Sequence, residues 1–198
     1  MDFPLLPFIG FALAASITPG PNNVMVAAAA ANSGMRAVVP HVLGICVGCG
    51  VMVPIVGLGL AVPLAAFPVL GVAMRWIGAA WMGVIAWQIA TAPPPGEGRP
   101  RPPLGFFGAA MFQWINPKGW LIILGIATTW TDQRAPIVPQ LMTMAAIFAI
   151  VGFPSGMFWA ALGEQAGRLL RSPLALRIFN GAMAALLVLS MVPILLAD

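Results

Sequence analysis

The sequence predicts an all-α, polytopic membrane protein with six transmembrane helices in two inverted three-helix repeats. Three observations predict it. Of 198 residues, 61% are hydrophobic and only 7% charged, whereas a soluble domain carries roughly a quarter charged residues. Such a chain has too little charge to cover a water-facing surface. The charged side chains also fall so as to leave long uncharged runs. Finally, helix-breaking motifs recur half a chain apart at membrane depth. Disordered and collagen-like classes are excluded, because the apolar fraction is too high and the 22 Gly follow no fixed period.

The nine Lys and Arg and five Asp and Glu bound uncharged runs at 3–35, 37–74, 76–96, 102–117, 119–131, 135–163 and 178–197. A spanning helix needs about 20 apolar residues. Runs 3–35, 135–163 and 178–197 each hold one span. Run 37–74 is punctuated at Pro63 and Pro68 and holds a second span and the start of a third. Runs 102–117 and 119–131 join across Lys118 into one span with a charge in its middle. The spans are expected near 4–32, 38–61, 70–91, 104–130, 137–162 and 175–197. Apolar stretches such as 24–31 and 186–189 do not alternate in polarity, which excludes a β-barrel. The first span lacks a basic leading region and is too long for a signal peptide, so it is expected to stay.

Basic residues in short loops set orientation. Arg36, Arg99, Arg101, Arg168, Arg171 and Arg177 lie in loops 1–2, 3–4 and 5–6, against Arg75 and Arg134 on the other side. The odd loops are thus expected in the cytoplasm and both termini outside, in a bacterial-type inner membrane. The Pro-rich stretch 92–103 reads as a stiff cytoplasmic linker between a first repeat, 1–91, and a second, 104–198. The basic residues retain loops in the cytoplasm, and no nucleic-acid-binding motif is visible.

Two places break the rule that hydrocarbon tolerates only continuous helix. Thr18-Pro19-Gly20-Pro21-Asn22-Asn23 interrupts span one. Its prolines remove two backbone donors, Gly20 frees the backbone to turn, and the two Asn add amides at the same depth. Trp114-Ile115-Asn116-Pro117-Lys118-Gly119-Trp120 interrupts span four. A Lys near a span centre costs on the order of 2.5–3.5 kcal/mol and marks a functional site by default. It invites either a bound anion or a proton equilibrium. Irregular backbone at this depth belongs where it is buried in protein or lines a wet cavity. Three helices per half invert the second half relative to the first. Paired interrupted spans in inverted repeats point to a secondary transporter's substrate site near the midplane. The expected substrate-binding residues are Thr18, Pro19, Gly20, Pro21, Asn22, Asn23, Gln113, Asn116, Pro117 and Lys118, with Lys118 and His41 as coupling candidates.

These motifs carry a resemblance. Thr18-Pro19-Gly20-Pro21-Asn22-Asn23, Gly44-Ile45-Cys46-Val47-Gly48, Trp76-Ile77-Gly78-Ala79-Ala80-Trp81-Met82-Gly83 and Asn116-Pro117-Lys118, in that order and spacing, resemble the LysE/RhtB family of amino-acid exporters across essentially the whole chain. The resemblance implies a six-helix inner-membrane protein that exports amino acids or related zwitterions on the proton gradient, without a cofactor. Family members often carry an acidic residue just after the second-span glycines, where this chain has Cys49, and a tyrosine where it has Trp81. The first departure weakens any carry-over of lysine or arginine as substrate.

Other features compete. Cys46 and Cys49 form a C-x-x-C, which a membrane thiol oxidoreductase would use but which close helix packing among glycines explains better. Gly44 and Gly48 fit close helix packing within one subunit or across a homodimer. His41 either relays protons or is an interfacial His satisfied by a carbonyl. Gln113 and Ser155 lie at membrane depth, and Glu164, Arg168 and Arg171 read as a solvated pair network. An uncoupled small-solute channel is the other alternative. Enzymatic catalysis, metal and cofactor are not expected, and no phosphate-binding Gly-x-x-x-x-Gly-Lys-Ser/Thr loop is present.

Overall fold

The computed structural model describes residues 4–60, 66–93, 102–132, 134–170 and 172–192. Among them every regular element is a helix. The first predicted span is two helices, α1 (Leu5–Ile17) and α2 (Pro21–Ser33), set apart by the joint 18–20. A single 3₁₀ turn, Met35–Val38, leads into α3 (Val39–Ile55), which loosens into a wide π turn at Val56–Leu60. There Gly59 takes φ 142°, open only to a residue without Cβ. Next come α4 (Pro68–Ala90), α5 (Phe106–Phe112), a 3₁₀ turn at Gln113–Ile115, and α6 (Pro117–Thr129). The last two helices are α7 (Ile137–Leu169) and α8 (Pro173–Leu189).

Proline sets several of these starts. Pro21, Pro117 and Pro173 open their helices, where the missing N–H costs nothing and φ is already helical. Ser172 caps α8 by accepting from the Ala175 N–H at 3.1 Å.

Stretches Met35–Leu60, Val69–Ala90 and Ile137–Leu169 are long and apolar enough to cross a membrane; Leu5–Ile17, Phe106–Ile115 and Pro173–Leu189 are shorter apolar helices. Two bounds differ from expectation. Helix α7 runs on to Leu169, seven residues past the expected end, and so carries Glu164 and Arg168 on its final turns, joined at 3.2 Å. Helix α8 stops at Leu189. Pro63, Glu97, Arg99, Arg101 and Arg171, with most of the linker and both chain ends, lie outside the described residues.

Glycine decides which helices touch. A Cβ on Gly163 or Gly167 of α7 would run into the Ala27 and Ala31 carbonyls of α2. On α3, a Cβ on Gly44 would strike the Phe106 carbonyl, and one on Gly48 would lie 2.7 Å from the Ala110 carbonyl. Small residues four apart let helix backbones approach this closely. The Gly44-x-x-x-Gly48 pair is thus used inside the chain, on α5. Around these seams pack Phe8, Met52, Ile123, Ile126, Leu141 and Met144 on one side and Val24, Met25, Met82, Phe112 and Leu187 on another. Large apolar side chains also face outward, among them Leu6, Val69, Trp81, Trp87, Phe107 and Ile150, as a lipid-facing surface requires.

Candidate functional site

The two interruptions meet. The C-terminal end of α1 and the N-termini of α2 and α6 converge on a cavity with about 70 Å³ of space for water. Gly20, Asn22, Asn23, Asn116, Lys118 and Gly119 line its polar part. Val42, Ile45, Ile122, Ile123 and Phe148 line the apolar part, with the free thiols Cys46 and Cys49 between them. Among the described lining residues the only formal charge is Lys118.

A helix end leaves carbonyls without intrahelical partners, and several of those at the end of α1 find side-chain donors. Asn23 Nδ2 donates to the Ser16 carbonyl at 2.8 Å and to the Thr18 carbonyl at 2.9 Å. Trp159 Nε1, from α7, donates to the Ile17 carbonyl at 3.0 Å. Lys118 Nζ, from α6, donates to the Thr18 carbonyl at 2.7 Å and the Pro19 carbonyl at 3.4 Å. The ammonium group thus sits on the negative end of the α1 dipole. That answers how a cation is held at this depth without a carboxylate.

Gly20 has a different reason from the one its sequence context gives. Its backbone is extended, φ −178° and ψ −179°, a conformation any residue adopts. What requires glycine is space, because a Cβ there would lie 2.7 Å from Lys118 Cδ and 2.9 Å from Nζ.

At the second interruption Gln113 is fully buried and ties the two halves together. It exchanges bonds with Asn22: Asn22 Nδ2 donates to Gln113 Oε1 at 2.9 Å, and Gln113 Nε2 donates to Asn22 Oδ1 at 3.1 Å. The same Oε1 accepts from Asn116 Nδ2 at 3.3 Å, and the Cys49 thiol approaches it at 3.6 Å. Asn116 borders the cavity, and its Oδ1 is buried with no partner among the described residues.

Of the residues expected to bind substrate, Gly20, Asn22, Asn23, Asn116 and Lys118 border the cavity. Gln113, Pro21 and Pro117 are buried but do not line it, and Thr18 and Pro19 present their side chains outward. His41 lies elsewhere: it is 2% exposed, lines a second cavity, and neither ring nitrogen has a partner. The Ser155 hydroxyl is also buried without a partner, outside both cavities. Sequence reading missed Trp159, whose indole cap on α1 could not be anticipated across 142 residues, and the apolar wall from Phe148.

Chemically, the cavity pairs two helix N-termini with an ammonium group, all of which favour a carboxylate. Asn116 Oδ1, beside it, is an acceptor without a partner among the described residues. The sequence pattern of LysE type translocators matches residues 13–196. The chain belongs to this family. It is similar to the cysteine/O-acetylserine efflux protein of Salmonella typhimurium (strain LT2), 30% identical over 170 residues covering 84% of this chain and 86% of that one. The Escherichia coli (strain K12) protein of the same description is 28% identical over the same length. No solved structure matches. The relatives are named for efflux, and the family itself is described as one of translocators.

Proposed function

We propose that the chain is a proton-coupled secondary exporter of small neutral amino acids, working as six spans in two inverted repeats in a bacterial inner membrane. Both termini face outward in this reading. Joining α1 with α2, and α5 with α6, gives two interrupted spans whose breaks share one cavity, as such a transporter requires.

The observation that carries the reading is the single charge of that cavity, Lys118, held on the carbonyls of Thr18 and Pro19 across the junction of the two halves. A substrate carboxylate competes for this ammonium and for the free N–H groups at the starts of α2 and α6. The substrate ammonium donates to Asn116 Oδ1. When the carboxylate draws Nζ away, the end of α1 loses its cap, which couples occupancy to movement of the first break. We place the coupling proton at Lys118 as well: the uncharged amine no longer holds a carboxylate and releases it. The described lining has no acid to receive a cationic side chain, and its small volume and apolar wall suit a short neutral one. Cysteine and O-acetylserine, the solutes named for the relatives, fit both limits and serve as the first substrates to try.

The test is efflux from proteoliposomes loaded with labelled cysteine, O-acetylserine, serine or lysine, under an imposed pH gradient. Saturable flux of the neutral solutes that rises with the gradient and falls in Lys118→Met and Asn116→Leu is expected. Flux of lysine alone, or unsaturable flux indifferent to the gradient, would overturn the proposal.

A further inference from the structure

A second cavity, with about 110 Å³ of space for water, lies between α2, the first turn of α3, the last turns of α4 and the stretches 92–93 and 102–104. Its polar lining includes Asn32, Ser33 and His41, and its walls include Met25, Ala29 and Ile85. It is separate from the cavity at the breaks. Asn22 and Asn32, on the two cavities, stand ten residues apart on α2, about 15 Å along its axis, so one small amino acid cannot occupy both.

His41 is the decisive group. It is 2% exposed, and neither Nδ1 nor Nε2 has a partner among the described residues. Buried polar atoms in folded proteins are hydrogen-bonded with few exceptions, and a neutral imidazole offers one donor and one acceptor side by side. Asn32 narrows the chemistry further. Its amide protons are committed to the Ala28 carbonyl at 2.7 Å and to Asn180 Oδ1 at 3.0 Å. Its Oδ1 accepts only from Asn180 Nδ2, at 3.2 Å, leaving one lone pair. The described lining therefore includes donors in the imidazole N–H and the Ser33 hydroxyl, acceptors in the other imidazole nitrogen and Asn32 Oδ1, the Gln88 amide, and an apolar wall.

We infer that this cavity is a second amino-acid site, distinct from the one at the breaks, where a small zwitterion first docks: its carboxylate takes the donors of His41 and Ser33, and its ammonium the acceptors. The inference rests on the exporter reading. In that reading His41 follows loop 1–2 and the last turns of α4 precede loop 3–4, which places the cavity on the cytoplasmic side, where an exporter loads.

Equilibrium binding of radiolabelled O-acetyl-L-serine to the purified full-length chain in lipid nanodiscs tests it. Two molecules per chain are expected for the wild type. His41→Leu should bind one, and Asn116→Leu should also bind one, at the remaining site. Filling the cavity from its wall, Ala29→Phe, should reproduce the His41→Leu count, and either variant that still binds one molecule is thereby shown to be folded. One molecule in the wild type, lost in Asn116→Leu and kept in both other variants, would overturn the second site and leave the exporter reading standing. No binding by the wild type, together with no amino-acid flux, would overturn both.

Discussion

The two helix breaks are built from the same parts and held together differently. At the second, the bonds are mostly local. The Trp120 indole donates to the Trp114 carbonyl at 2.8 Å, the Asn116 N–H to the Gln113 carbonyl at 3.2 Å, and the Asn116 amide to Gln113 Oε1. At the first, Asn23 supplies a local cap, but the Ile17 and Pro19 carbonyls depend on Trp159 and Lys118, from helices far along the chain. The second break leans less on distant residues, Asn22 and Cys49 at Gln113 being its long-range hydrogen-bond partners among the described residues. The first keeps its shape only while α6 and α7 hold it, which makes it the part suited to move when a ligand competes for Lys118.

The largest expected effect comes from removing the cross-junction cation. Hydrogen bonds from a charged donor contribute about 1.5–3 kcal/mol, so Lys118→Met should lower efflux roughly 10- to 100-fold in proteoliposomes. Near-normal flux would show that the first break does not depend on α6. Glycine offers a second contrast. A Cβ on Gly78 would strike the Ile115 carbonyl of the second break, whereas one on Gly20 meets only the flexible end of Lys118. Gly78→Ala should therefore cost about 1–3 kcal/mol of stability through overpacking, read by thermal unfolding in detergent. Gly20→Ala should instead reduce flux while leaving the unfolding temperature close to wild type. Equal stability losses would erase the distinction between a rigid and a yielding break.

A smaller effect concerns the bridge between the breaks. A double-mutant cycle on Asn22→Leu and Gln113→Leu should return a coupling of about 0.6–1.7 kcal/mol, the range for interhelical hydrogen bonds in membranes. A coupling near zero would mean that the reciprocal amide pair does not link the halves. The smallest effect is expected at the thiols. Cys46→Ser/Cys49→Ser should change flux least, because each swap keeps a small side chain in the cavity lining and removes only a weak contact to Gln113. Loss of flux there would revive a redox role.

The breaks were legible in the sequence because proline, glycine and an isolated lysine are costly in hydrocarbon wherever they occur. The same cost singled out Asn22, Asn23, Asn116 and Lys118, which the fold brings to one cavity. Gln113 was legible only as a polar residue at depth; that it turns away from the cavity toward Asn22 depends on how α3 seats on α5 through Gly44 and Gly48. His41 was open between a proton relay and a satisfied interfacial residue, and the fold leaves both its nitrogens without partners in a cavity of their own.

By itself, then, the sequence determined the solvent, the all-helical architecture, the positions of the two interruptions and the one charge at depth. Each follows from the free energy of a residue in lipid, which is a local quantity. Only the tertiary structure decided what those residues touch. Lys118 finds backbone carbonyls 99 and 100 residues away rather than a carboxylate, and Gly20 exists to admit it. Such pairings depend on the register in which helices meet, which glycine contacts spread over several helices set together.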